Sequence, residues 1–140
     1  MPIAVVTGTS SGIGYATCLH LSRHGYEVFA GMRNTEKGQR LRSEAQAQGL
    51  PITILSMDIC DEASVAQAFA QIDKVGPVDL LVNNAGIGGA SPLELTPEAE
   101  HRQMFETNYF GAVRCIQAVL PSMRSRQSGC IVNITSAVGL

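Results

Sequence analysis

Between residues 7 and 14 the chain reads Thr7-Gly8-Thr9-Ser10-Ser11-Gly12-Ile13-Gly14. The spacing of these glycines suits one chemical task, the cradling of a phosphate. An anion on the first turn of a helix is held by backbone N–H groups and by the positive end of the helix dipole, provided no side chain intervenes. Gly8 would permit the tight turn, Gly12 the approach of backbone to phosphate, and Gly14 the close packing of helix on sheet. Such a motif carries weight only between a strand and a helix. Both are predicted here. Ile3 to Val6 is wholly apolar, and Ile13 to Arg23 carries Ile13, Ala16, Leu19 and Leu21 before a stop at Gly25. Ser10, Ser11 and Ile13 therefore join Gly8, Gly12 and Gly14 as candidate cofactor-binding residues.

A second chemical signal ends the next apolar run, Val28-Phe29-Ala30-Gly31-Met32-Arg33-Asn34. A carboxylate at such a strand end accepts hydrogen bonds from a ribose 2′-OH and repels a 2′-phosphate, whereas an arginine clamps the phosphate. No acid stands at this end; Glu27 stands at the start of the run. Arg33, helped by the hydroxyls of Ser10 and Ser11, thus favours NADP(H) over NAD(H). His20 and His24 have the i, i+4 spacing of metal ligands but no third ligand nearby, so no metal site is expected.

These groups need elements to position them, and the chain supplies an alternation. Strands are predicted over Ile3–Val6, Glu27–Met32, Ile52–Ser56, Val78–Val82 and Cys130–Thr135. Helices are predicted over Ile13–Arg23 and Thr35–Gln48, then from Asp61 with the stripe Val65, Ala68, Phe69 and Ile72. A long helix of roughly 25 residues is predicted to start at Thr96-Pro97-Glu98, read as cap, proline and acid. Continuous apolar strands alternating with helices imply an α/β fold, a Rossmann-like doubly wound parallel sheet with helices on both faces. Residues 1–140 read as a single dinucleotide-binding domain, with no linker or repeat.

Further motifs follow in order. Asp58-Ile59 comes after the third strand, and Asn83-Asn84-Ala85-Gly86 after the fourth. Asn108 lies within Thr107-Asn108-Tyr109-Phe110-Gly111, and Ser136 closes Cys130-Ile131-Val132-Asn133-Ile134-Thr135-Ser136, with Ala137-Val138-Gly139 behind it. Over the whole chain this pattern resembles the short-chain dehydrogenase/reductase family. The resemblance implies an NADP(H)-dependent oxidoreductase that interconverts an alcohol and a ketone or aldehyde by hydride transfer. It implies cofactor contacts from Asn84, Ala85 and Gly86 and an adenine-contacting pair in Asp58 and Ile59. Asn108 would hold a water in a proton relay, and Ser136 would hold the substrate oxygen.

Hydride transfer to a carbonyl leaves an alkoxide that must be protonated. In the family a tyrosine of a Tyr-x-x-x-Lys motif is the acid, and that motif would fall beyond Leu140. None of Tyr15, Tyr26 and Tyr109 is followed four residues later by lysine. The chain is accordingly expected to be a fragment truncated after the fifth strand, with Ile131, Val132 and Ile134 on an exposed edge. The alternative is a catalytically incompetent nucleotide-binding fragment or a regulatory protein of the same fold.

Composition narrows the partners. The 140 residues are 45% hydrophobic and 16% charged, which excludes global disorder, and a net charge of −2 offers no footprint for nucleic acid. No apolar run has the length of a membrane span, and the N-terminus has no signal-peptide pattern. Four dispersed cysteines (Cys18, Cys60, Cys115, Cys130) suggest a reducing, cytoplasmic setting. The small, apolar loop Ile87–Leu93 suits a small hydrophobic alcohol or carbonyl substrate, of steroid or retinoid type in the resembling branch. The long helix suggests a homo-oligomer in the complete form.

Overall fold

The structure, a computed structural model, describes residues 1–136. Its strands are β1 (Ile3–Thr7), β2 (Glu27–Met32), β3 (Ile52–Ser56), β4 (Val78–Asn83) and β5 (Cys130–Asn133). They form one parallel sheet in the order β3-β2-β1-β4-β5. The helices are α1 (Gly12–Arg23), α2 (Gln39–Gln48), α3 (Glu62–Ile72), α4 (Glu98–Phe105) and α5 (Gly111–Arg126).

Successive strand residues point to opposite faces, so each apolar run feeds two cores at once. On one face Val5, Phe29 and Leu81 pack with Val65, Phe69 and Ile72 of α3 and with Cys115 and Val119 of α5. On the other, Val6, Val28 and Val82 pack with Cys18 and Leu19 of α1 and Leu41 of α2. This is the Rossmann-like, doubly wound arrangement that the alternation predicts. The chain leaves β1 toward β2 on one side and returns to β4 on the other. Ligands of open α/β sheets bind at such a reversal, outside the carboxyl ends of the strands.

At the opposite edge Asp79 ties three elements together. Its Oδ2 accepts from the Ile3 N–H at 2.9 Å, and its Oδ1 accepts from Arg126 Nη1 at 3.2 Å. Arg126 Nη2 also donates to the Val78 carbonyl at 2.7 Å, which anchors the end of α5 under the starts of β1 and β4.

Several expected boundaries and faces differ. The buried residues of α1 are Gly14, Cys18, Leu19 and Ser22, whereas Ile13 and Ala16 are exposed. Two small residues let α1 sit closer to the sheet than its larger apolar residues would. Thr35–Gly38 is a 3-10 turn, with Asn34 Oδ1 accepting from the Glu36 N–H at 3.0 Å, and α2 begins only at Gln39. Thr96 does not cap α4. Its hydroxyl donates to the Pro92 carbonyl at 2.9 Å, and Pro97 takes the N-cap place. The long helix is interrupted by a π turn over Glu106–Phe110. The β5 ladder stops at Asn133, with one more bond from the Ile134 N–H to the Asn83 carbonyl at 2.9 Å. On this outer strand Val132 and its neighbour Ile134 are 39% and 41% exposed.

Two outcomes follow from the cores. Leu81 is fully buried, so Leu81→Ala should lower unfolding free energy in urea titrations by about 2–5 kcal/mol. Cys18 and Cys115 are equally buried, and burial pushes both thiols up to about 12, whereas Cys130 is exposed. A thiol reagent at mildly alkaline pH should label Cys130 quickly and reach Cys18 and Cys115 only as the protein unfolds.

Candidate active site

With every strand parallel, the carboxyl ends share one edge, and the residues singled out for chemistry converge there. A cleft of about 350 Å³ is bordered by Gly8, Ser10 and Ser11 after β1 and by Arg33 after β2. Asp58 and Ile59 after β3, then Asn84, Ala85 and Gly86 after β4, complete most of its wall.

The glycine turn and the β4 loop are sewn together. Thr7 Oγ1, buried at the end of β1, accepts from the N–H groups of Asn84 at 3.1 Å and Ala85 at 3.0 Å. Asn84 Nδ2 in return donates to the carbonyls of Thr7 and Gly8, each at 3.0 Å. Thr9 holds the far side of the turn, its hydroxyl donating to the Gly31 carbonyl at 3.0 Å. Gly14 lies so close that a Cβ there would run into the Gly8 carbonyl and the Asn84 amide. Gly14 is thus the place where α1 presses on the turn itself.

Gly12 is different. Its φ of +60° needs glycine, yet a Cβ would meet nothing within 4 Å, so its backbone borders open space. The N-cap residue Ser11 makes no side-chain bond to the first turn of α1. An open backbone beside an uncapped helix start is the arrangement that fits a pyrophosphate.

Around the rim, Asp58 Oδ1 accepts from the Cys60 N–H at 3.0 Å, and Asp61 rather than Asp58 caps α3. The Ile59 side chain is only 6% exposed and belongs to the core. Arg33 also borders a second recess of about 300 Å³ with Ser10, Met32, Asn34 and Lys37. Ile13 points outward at 64% exposure and does not border the cleft.

Asn108 is exposed and does not border the cleft either. It clamps the loop after β4: Nδ2 donates to the Ile87 carbonyl, and Oδ1 accepts from the Ile87 N–H, both at 2.8 Å. Ser136 stands on the same edge, three residues after the last residue of β5, and is exposed. Ala137 to Gly139, which support its assignment in sequence, lie outside the described residues. His20 and His24 have their ring centroids 4.3 Å apart on the surface of α1.

Sequence reasoning missed Lys37, Gln103 and Thr107. Lys37 lies four residues after Arg33, a spacing that could have flagged it. Gln103 of α4 and Thr107 of the π turn border the cleft because the helix crosses the sheet edge there, and no sequence signal near them shows the crossing.

A family model described as short chain dehydrogenase matches residues 2–140. The chain belongs to the short-chain dehydrogenase family. Among family members, retinol dehydrogenase 8 of Bos taurus is 44% identical, matching 97% of this chain and 45% of its own length. A short-chain dehydrogenase structure from Streptomyces avermitilis superposes with a TM-score of 0.88 at 37% identity, over 96% of this chain and 49% of that one. A metagenomic short-chain oxidoreductase solved in complex with NADP superposes with a TM-score of 0.92 at 30% identity, over 99% and 64%. The chain spans about half the length of curated relatives that it matches. No helix among the described residues is long and apolar enough to cross a membrane.

The stitching carries its own test. Thr7→Val strips two partly buried N–H groups of their acceptor and should destabilise the protein by about 1–3 kcal/mol. Hydrogen exchange should show the Asn84 and Ala85 amides losing protection first, while Thr7→Ser retains it.

Proposed function

We propose that this chain is the nucleotide-binding part of an NADP(H)-dependent oxidoreductase that interconverts an alcohol and a ketone or aldehyde. Residues 1–140 then form a single dinucleotide-binding domain. The observation that carries the cofactor choice is the recess at the end of β2. Arg33 and Lys37 border it together with Ser10, and no carboxylate among the described residues does. Two cations and a hydroxyl suit a 2′-phosphate, whereas a bare ribose 2′-OH would call for a carboxylate. The related oxidoreductase solved with NADP supports the same choice.

The rest of the nucleotide follows the edge. Ser10 to Gly14 receive the pyrophosphate on the start of α1, the Asp58 turn borders the adenine side, and Asn84 to Gly86 border the nicotinamide side. When bound, the cofactor supplies or accepts the hydride. Ser136 donates a hydrogen bond to the substrate oxygen and holds it for transfer. The Asn108 carboxamide bonds the Ile87 backbone through one N–H and one lone pair, which leaves its second N–H and second lone pair for a relay water.

The substrate side supports a hydrophobic molecule. Ile87, Leu93 and Leu95 are exposed at 39%, 78% and 71% beside this edge, and a relative is named for retinol. The exposed rings of Phe105, Tyr109 and Phe110 supply a face for the homo-oligomer. Four free cysteines, two of them fully buried, fit a reducing cytoplasm.

Titration of the protein with NADPH and NADH, followed by nucleotide fluorescence, tests the reading. NADPH should bind at least about tenfold more tightly, and Arg33→Asp should reverse the preference by a similar factor. Equal binding of NADH by the unaltered protein would remove the role given to Arg33.

A further inference from the structure

The π turn touches both ends of the nucleotide cleft. On its cofactor side Thr107 Oγ1 lies 3.3 Å from Cys60 Sγ, and Gly111, which follows the turn, lies against Ile59. A Cβ at Gly111 would fall 2.6 Å from Ile59 Cδ1, so helix backbone and adenine-side loop meet without a spacer. On its other side Asn108 holds both backbone polar groups of Ile87.

One side chain spans this junction. Arg114 Nη2 pairs with Glu106 Oε1 at 2.5 Å, and Arg114 Nη1 donates to the Ile59 carbonyl at 3.0 Å. Glu106 opens the π turn, and Arg114 stands one turn beyond its end. In a regular helix residues seven apart share a face, two turns on. A π turn absorbs one extra residue, which brings the eighth residue to that place instead. The Glu106–Arg114 pair therefore requires the widened turn and favours it over a regular helix. Its side chains are 37% and 24% exposed, so water screens the pair only in part.

The geometry points to Arg114 as a positioning residue that links the adenine-side loop to Asn108. Arg114 holds the Ile59 carbonyl and, through Glu106, the phase of the π turn, and that phase aims the Asn108 carboxamide at Ile87. A nucleotide seated against the Asp58–Ile59 loop thereby biases the far end of the cleft, with no contact between its adenosine half and Asn108. The inference rests on the nucleotide reading above and adds a route within the site.

The test uses the full-length protein and a probe that reaches only the adenosine half, adenosine 2′,5′-bisphosphate. Nuclear magnetic resonance would follow the Asn108 side-chain amide and the Ile87 backbone amide. In the unaltered protein the probe should shift both signals. In Arg114→Met and in Glu106→Gln the probe should bind within about threefold of the unaltered affinity while both shifts fall by more than about half. Glu106→Gln leaves the Arg114 side chain in place and guards against a simple packing defect in the first variant. Arg114→Lys should restore part of the shift, because the ammonium reaches one of the two oxygens. Binding with undiminished shifts in both variants would overturn the link and leave the nucleotide reading standing. Loss of probe binding in both would overturn it too, since Arg114 would then serve the adenine-side loop alone. Failure of the unaltered protein to bind the probe would remove the nucleotide reading, and the link with it.

Discussion

The structure turns on the exchange of hydrogen bonds between Thr7 at the end of β1 and Asn84 just past β4. These two strands flank the point where the winding of the sheet reverses, so their loops diverge and leave a crevice. A crevice alone would be a soft place. The buried threonine hydroxyl and the asparagine carboxamide close it from below by satisfying two N–H groups and two carbonyls. Gly14 then lets α1 press directly on the Gly8 carbonyl, so that the helix start and the turn form one rigid body. The residues proposed for the pyrophosphate, Ser10 to Gly14, sit on that body, while Arg33 and Lys37 stand apart after β2.

A second constraint acts from the side. The helix from Glu98 to Arg126 is long enough to span the sheet, and an unbroken helix would present a different face to the edge beyond its midpoint. The π turn at Glu106–Phe110 changes the phase, so α5 buries Cys115, Val119 and Met123 while Asn108 reaches over to Ile87. The one site-proximal irregularity in the long helix thus carries a residue that the family resemblance assigns to the reaction. π turns are rare and concentrate at functional sites, where a gain in side-chain placement offsets weaker backbone bonding.

Much of the fold was legible because its signals are local. Apolar runs such as Ile3–Val6 and Val78–Val82 can be read without knowing their neighbours, since a parallel strand covered on both faces must be apolar throughout. Gly8, Gly12 and Gly14 were legible for the same reason: a strand, a turn and a helix start are adjacent in sequence. The differences fall where packing or a competing hydrogen bond decides. The Ile13 side chain turns outward because Gly14 and Cys18 take the inner face of α1, which leaves only its backbone at the start of the helix to serve the motif. Thr96 fits a helix cap by its place before Pro97 and Glu98, but its hydroxyl finds the Pro92 carbonyl at the start of the preceding 3-10 turn. Lys37, Gln103 and Thr107 went unremarked because nothing near them in sequence marks a cleft.

By itself the sequence determined the element order, the parallel sheet, the glycine turn and the absence of an acid after β2. Each is set by side-chain size, charge or backbone freedom over a few neighbouring residues. Only the tertiary structure decided that Lys37 joins Arg33, that Ile59 serves the core, and that Asn108 spends its carboxamide on Ile87. Those outcomes depend on which groups meet across the sheet edge. For Ile59 and Asn108 they are settled by packing between residues tens of positions apart, and for Lys37 by the 3-10 turn that folds it back toward Arg33, neither of which a local pattern encodes.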